Sequence, residues 1–385
     1  MQFDFLAEAH ALAPELHALR EAFHRQPELG NREFRTAERV EAELRACGVE
    51  TMRLLDTAVL GRLRFGRPGP TVALRADMDA LPLEEDTGAP FASETPGVMH
   101  ACGHDVHMAA ALGAAKLLAR HREALGGEAV FLFQPDEEGD GGAQRMIACG
   151  ALRGVDAVFG GHVSPDLPAG TVGVRYGKFY AASNTFRVTM HGRSAHGAER
   201  EKGVDALAAA AELTGRLLEL PDRLGGARSV VSVGTFHAGS AGNIVADAAE
   251  LTGIIRTLGP EARAEMLCLF RETADSVAAA HGATCDCALR ESYPGVVNDD
   301  DMTALVQRTA AALLGADRVR VIEQPTMTTE DFGYFLLERP GSFYHIGAGC
   351  SLPLHNRRFL PDARAVETAA AVHAAVLAAR LAEGR

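Results

Sequence analysis

No apolar run in this 385-residue chain approaches the ~20 residues that a membrane span requires, so no membrane partner is expected. Positive charge is also in short supply. Lys and Arg number 38 against 51 Asp and Glu, a formal balance of −13. An acidic surface argues against nucleic acid and anionic membrane as partners. The opening stretch MQFDFLAEAH holds an early acid and no basic n-region, so no secretory signal is expected. The cysteines are seven, an odd number, and scattered. That pattern speaks against a disulfide framework and for free thiols in a reducing cytoplasm, the expected location. Cys285 and Cys287, in CDC, read as ordinary strand residues. No second cysteine pair supports a closed structural zinc site. Internal repeats and low-complexity tracts are not evident.

What is present is an ordinary globular composition, 47% hydrophobic and 23% charged, enough for two cores. LAEAHALAPELHALREAF and FRTAERVEAELRACG carry apolar residues at helical spacing, the second stopped by Gly48. Short apolar runs follow. TVALRADMDALP, EAVFLFQPDEEG, DAVFGGHV and SFYHIGAG contain strands, and VHMAAALGAAKLLARHREAL is a helix. Continuous apolar strands between helices indicate a mostly parallel sheet covered on both faces. The middle of the chain reads differently, as NTFRVTMHG (strand), GVDALAAAAELTGRLLEL (helix), SVVSVGTFHAG and AELTGIIRTLG (strands), PEARAEMLCLFRETADSVAAAHG (helix) and TCDCALRESY (strand). The order β-α-β-β-α-β is the ferredoxin-like pattern. The expected architecture is therefore an α/β catalytic domain over residues 1–179 and 292–385, with a ferredoxin-like α+β domain inserted at 180–291.

The chemistry-bearing residues gather at strand ends. DMD (77–79), CGHD (102–105), DEEG (136–139), GH (161–162) and LH (354–355) all follow or lie just beyond expected strands. In open parallel sheets, ligand sites collect outside the carboxyl ends of the strands. Cys102 and His104 are two apart, so an extended segment would point both to one side. Thiolate and imidazole suit zinc and its neighbours. Glu137 and Glu138 are adjacent and on an extended turn would diverge, one toward a metal and one toward substrate. A carboxylate ligand beside a general base suits a metal hydrolase. Singly, each signal is weak: a histidine such as His162 or His355 after a strand is more often a hydrogen-bonded structural group. Asp105, at a helix start, would cap the helix or support the site from behind, and His100 and His107 would be structural.

Together these segments resemble the dinuclear metal-dependent amidohydrolases and peptidases that include aminoacylases, hippurate hydrolase and the indole-acetyl-amino-acid hydrolases. The match runs nearly end to end, through LHALREAFHRQPELGNREFRTAERV, LRADMDALPL, MHACGHDVHMAAALGAA, FLFQPDEEGDGGAQRMI, GHV, GRSAHGA, GNIVADAAELTGIIRTL, MTTEDFGYFL and PLHNRRF. The resemblance implies two divalent transition-metal ions per subunit, of zinc, manganese, cobalt or nickel. It implies that Cys102 bridges them, with His104 and His162 on one ion and Glu138 and His355 on the other. Glu137 matches the catalytic carboxylate, and Asp79 the acid that orients a ligand. Relatives outside this subgroup have a histidine where Asp77 stands, and His104 supplies the missing ligand. His196 matches a histidine that reaches a neighbouring subunit's site and helps hold the oxyanion, which implies a homodimer or higher homo-oligomer. Asn243 and Arg256 match residues that hold a substrate carboxylate. By themselves, Arg256 would read as a strand residue in a surface ion pair and His196 as a loop histidine.

The expected activity is hydrolysis of the amide bond of an N-acyl amino acid, a small-molecule substrate. A dipeptidase or carboxypeptidase using the same metals is the alternative within enzymes, and a silent binder of acylated amino acids the alternative outside them. A single structural metal is the bland reading. The chain departs from the family at Glu199-Arg200, where members often have Pro, and at Thr328-Thr329, where many have Gly. Neither touches a proposed ligand, so both bear on the pocket rather than on the reaction class.

Overall fold

A computed structural model describes residues 3–226 and 228–383. In chain order the elements are α1 (Phe5–Arg25), α2 (Phe34–Ala46), β1 (Glu50–Arg53), β2 (Val59–Arg64), β3 (Arg67–Asp77), α3 (His104–Arg120), β4 (Gly126–Gln134), α4 (Ala143–Ala148), β5 (Ala157–Ser164), β6 (Val172–Val174), β7 (Gly177–Tyr180) and β8 (Ala182–His191). Then come α5 (Ala206–Leu218), β9 (Ser229–Ala238), β10 (Ala248–Thr257), α6 (Pro260–Ala280), β11 (Thr284–Glu291), β12 (Val296–Asn298), α7 (Asp300–Leu314), β13 (Val319–Val321), α8 (Gly333–Glu338), β14 (Gly341–Gly347) and α9 (Arg364–Ala382). Acids start several helices: Asp4, Asp205 and Asp299 each accept from a backbone N–H three residues on. Pro260 opens α6 at a position where no backbone donor is needed.

The chain divides into two compact units. One comprises the chain up to Gly177, Asn298–Gln324 and the chain from Asp331; the other comprises Lys178–Val297 and Pro325–Glu330. The first holds an eight-stranded mixed sheet in the order β1-β2-β4-β3-β5-β14-β6-β13. Its centre is parallel, β4 to β3 to β5 to β14. These strands carry Val, Ala, Leu and Phe on both faces because both faces are covered, and all of β5 is buried. The carboxyl ends of the four parallel strands point one way, which collects the segments that follow them.

The core of this unit packs α1, α3 and α9 against the sheet. The α9 helix corrects one expectation. Arg364–Ala382 is long and apolar enough by length and composition to cross a membrane, with a mean hydropathy of 1.4, yet 83% of that stretch is buried inside the protein. Alanine supplies the apolar count. A helix apolar all round fits a site enclosed on every side, and small side chains let α3 and α1 approach it closely.

The second unit has a four-stranded antiparallel sheet in the order β11-β8-β10-β9, the ferredoxin-like arrangement. Its core joins Phe186, Val188 and Met190 of β8 to Leu213 and Leu217 of α5 and Met266 and Phe270 of α6. Cys285 and Cys287 lie half-buried on β11 and pack against this core, and all seven cysteines of the chain are free.

Candidate metal centre

Cys102, His104 and His162 are buried and present one ligand atom each within 4.8 Å of one another. Cys102, Glu138 and His355 form a second such group, and His104, Glu137 and Glu138 a third. Six residues from four separate stretches thus converge, Cys102 and His104 coming from one and Glu137 and Glu138 from another. Their elements explain how. His104 is the first residue of α3, Glu137 and Glu138 follow β4, His162 lies within β5, and His355 is in the loop after β14.

Two local geometries differ from the simple picture of extended segments. Cys102 and His104 do not lie on an extended run: Gly103 between them is left-handed at φ 86°, and His104 already starts the helix. A Cβ at Gly103 would also collide with Val163. Glu137 and Glu138 do not diverge either, since both carboxylates reach His104. The positive φ of 59° at Asp136 turns the chain just before them.

The histidines are oriented by their other nitrogens. His104 Nδ1 donates to the Asp79 carbonyl at 2.8 Å, and His162 Nδ1 to the Val163 carbonyl at 2.7 Å. Each Nε2 lone pair is thereby turned inward. His162 Nε2 lies 3.4 Å from Cys102 Sγ. His104 Nε2 is buried with no hydrogen-bond partner among the described residues. His355 Nε2 sits 3.1 Å from Glu138 Oε1. Asp79 grips the site twice: besides its carbonyl, its Oδ2 accepts from the Glu138 N–H at 2.9 Å.

The electrostatics ask for cations. Burial, then the charges of Glu138 and Glu137, push the Cys102 thiol well above its ordinary range. Burial opposes charge on His104, yet Asp77, Asp79 and Glu138 override it and raise its pKa to about 10. Burial and neighbouring His107 hold His162 well below the ordinary imidazole range, as a neutral ligand must be. A thiol, two imidazoles and crowded carboxylates, with an orphaned ring nitrogen among them, fit soft-to-borderline divalent metals, whose charge would take the place of the proton on His104. The groups form a buried dinuclear site for two divalent ions per subunit.

Behind the site lies a polar network that no motif announces. Arg75 donates to Asp77 and to Asp331, at 2.9 Å to the latter, and Gln134 also donates to Asp331. Asp331 belongs to the EDF segment, which matches the family without a role attached. Of the two roles expected of Asp105, the cap is not the one it takes. It accepts from Arg20 at 2.7 Å and pairs with His24 at 2.8 Å, because burial puts it beside α1 rather than at an open helix end. His100 is buried, as a structural residue would be.

His196, Asn243 and Arg256 belong to the second unit. His196 and Asn243 are neighbours: the Gly197 N–H donates to the Asn243 carbonyl at 2.8 Å, and His196 bridges Ile244. His196 Nδ1 accepts from the Ala198 N–H at 3.1 Å, so the ring proton is on Nε2. Both side chains are exposed. Arg256 sits apart from them on β10, opposite Ser183 and Val230. It makes no ion pair with a carboxylate among the described residues, and partial burial lowers its pKa from the ordinary guanidinium value. Of the two departures, Glu199 and Arg200 are paired locally with Lys202 and Asp205, and Thr328 accepts from the Ala181 N–H.

Comparison with known proteins gives the same picture. Residues 73–379 match the model of peptidase family M20/M25/M40. Thermostable carboxypeptidase 1 of Saccharolobus solfataricus is 37% identical over 92% of this chain and 93% of its own length. N-acetyl-L-cysteine deacetylase of Bacillus subtilis is 36% identical over 92% of this chain and 85% of its own. Among solved structures, the Bacillus subtilis YXEP protein, a dinuclear metal binding peptidase from the M20 family, superposes with a TM-score of 0.87 at 34% identity. That match covers 98% of this chain and all of the other. With the converging thiol, imidazoles and carboxylates, these matches show a metal-dependent hydrolase with amidohydrolase chemistry at a dinuclear centre, and the chain belongs to peptidase family M20/M25/M40.

Proposed function

We propose that the protein hydrolyses the amide bond of N-acyl amino acids, releasing a carboxylate and a free amino acid. The observation that carries this reading is Arg256. A half-buried guanidinium with no carboxylate partner among the described residues suits an anionic group of a substrate. A substrate with a free α-carboxylate supplies such a group and receives two parallel hydrogen bonds. Deacetylase relatives support the acyl side of the reading.

In this reading one ion would be held by Cys102, His104 and His162 and the other by Cys102, Glu138 and His355. Zinc, manganese, cobalt and nickel all suit that donor set. Bound there, the ions supply Lewis acidity toward the scissile carbonyl and lower the pKa of water. Glu137 takes the proton from the attacking water and returns it to the departing amine nitrogen. Asp79 orients His104 and holds the backbone of Glu138. His196, protonated on Nε2, donates to the oxyanion of a neighbouring subunit, so the working unit is a homodimer. Arg256 holds the distant carboxylate and aligns the reacting bond, with Asn243, beside His196, reaching it from the neighbouring subunit.

The test compares N-acetyl- and N-benzoyl-amino acids with the matching N-acyl amines, which lack the carboxylate, on wild type and Arg256→Ala. The expected result is turnover of the acids alone, with KM raised in Arg256→Ala. Equal turnover of the amines would sink the reading. The carboxypeptidase relatives favour a second one, since a peptide C-terminus presents the same anion. Faster turnover of N-blocked dipeptides than of acyl amino acids would select it.

A further inference from the structure

We propose that Glu33 is a positioning residue of the catalytic turn: by accepting the Asp136 N–H, it holds the left-handed bend that aims Glu137 and Glu138. This rests on the roles given above to those two residues.

The backbone is held on either side of Glu137. The N–H of Asp136, just before it, donates to Glu33 Oε1 at 3.0 Å. The N–H of Glu138, just after it, donates to Asp79 Oδ2 at 2.9 Å. Two carboxylates therefore clamp the backbone N–H groups of the residues on either side of the proposed base. Asp79 comes from the end of β3, whereas Glu33 comes from the start of α2, a different wall of the site.

Between the clamps the chain adopts a conformation that it would not choose alone. Asp136 has φ 59°, where a side chain other than glycine is uncommon and needs support. The support is visible. Arg145 donates to Asp136 Oδ2 at 2.9 Å and to Asn31 Oδ1 at 2.7 Å. The Gly141 N–H donates to the Asp136 carbonyl at 3.1 Å. Gly30 and Gly139 press so close to the Asp136 carboxylate that a Cβ on either would collide with it. The PELGNREF segment thus wraps the turn.

Glu33 is itself held. Its side chain has no exposure, and its second oxygen accepts from the Thr57 hydroxyl at 2.8 Å. Burial, helped by the charge of Asp79, pushes its carboxyl up to about 7 against the hydrogen bonds from Thr57 and Asp136. A carboxyl kept in so unfavourable a place, with both oxygens engaged and no cation paired to it among the described residues, serves its hydrogen bonds.

The experiment uses the metal-loaded full chain and four variants: Glu33→Ala, Glu33→Gln, Thr57→Val and, as control, Glu137→Gln. Glu33→Ala should lower kcat about 10²-fold, the order a small misplacement costs, with KM little changed. It should still hold two metal ions, and the absorption of its cobalt form should shift as Glu138 moves. Glu33→Gln keeps an acceptor for Asp136 and a partner for Thr57, so it should restore most of kcat. Thr57→Val frees one oxygen of Glu33 and should cost several-fold in kcat, which keeps the test open if Glu33→Ala does not fold. Wild-type kcat in Glu33→Ala, or in Thr57→Val where Ala fails to fold, overturns the proposal. Equal loss in Gln and Ala overturns it too. An active Glu137→Gln would instead strike at the reading of Glu137 and leave the Glu33 result to stand on its own.

Discussion

His107 Nδ1 lies 2.5 Å from Asp77 Oδ1, and its other nitrogen accepts the Val163 N–H at 2.9 Å. Both ring nitrogens are spent, so His107 holds the site together and leaves metal binding to its neighbours. The accepted N–H fixes the proton on Nδ1. His107→Ala should cost about 1–3 kcal/mol, the penalty for leaving buried partners unpaired. It should also weaken metal binding about 10–100-fold, because His162 precedes the released Val163. Urea unfolding and metal titration by calorimetry would check the two effects. Unchanged affinity would show that His162 does not depend on this support.

Glu137→Gln removes the proposed base and keeps the shape. Turnover should fall about 10²–10⁴-fold, the usual worth of a positioned proton acceptor. Elemental analysis should still find two ions per chain. Loss of metal together with loss of activity would make Glu137 a ligand and not the base.

Chelation should abolish turnover, and refilling with zinc, manganese, cobalt or nickel should restore it to different degrees. Stability should change with it. Ligands that bind only the folded state raise its stability by mass action. A melting temperature that ignores chelation would exclude tight binding at the buried cluster.

Arg75 neutralises Asp77 and Asp331 from one buried guanidinium. Arg75→Met would leave two buried carboxylates without it. The expected loss is about 3–5 kcal/mol. Burial already raises the Asp331 pKa against the pull of Arg75, so the variant should lose less stability in mildly acidic buffer, where Asp331 takes up a proton. Denaturant midpoints at two pH values would reveal this. Equal losses at both would contradict it.

His24 sets a pH window. Burial opposes its charge, but Asp105 and a hydrogen bond to Glu85 override burial and raise its pKa to about 9. A raised histidine stabilises fully below its unfolded value of ~6.5, and the contribution fades as pH climbs through the folded value. The stability gap between wild type and His24→Gln should therefore be widest near pH 6 and shrink by up to about 3 kcal/mol toward pH 9 and above. Unfolding series of both proteins across that range would test it. A gap that does not change with pH would mean that His24 is neutral in the fold.

Much of this molecule is legible locally. The apolar strands β3, β4, β5 and β14 announce themselves by unbroken runs, and the β-α-β-β-α-β order by alternation and helical spacing. Cys102, His104, Glu137, Glu138, His162 and His355 stand out by type and by their place at strand ends. The α9 helix is less legible: its alanines carry no face preference, and only its neighbours on every side show that it is core.

The amino-acid sequence by itself determined the layered α/β unit, the four-stranded companion and the candidate metal-binding side chains, because periodicity, residue chemistry and motif resemblance are properties of the chain itself. Only the tertiary structure decided how those side chains act. It set the left-handed turns at Gly103 and Asp136 that bring Glu137 and Glu138 to one imidazole. It set which nitrogen of each histidine faces inward, and it enlisted Glu33, Arg75 and Asp331 from distant stretches. Those are questions of partners across space, and hydrogen bonds between residues 103 or 256 positions apart leave no period in the chain.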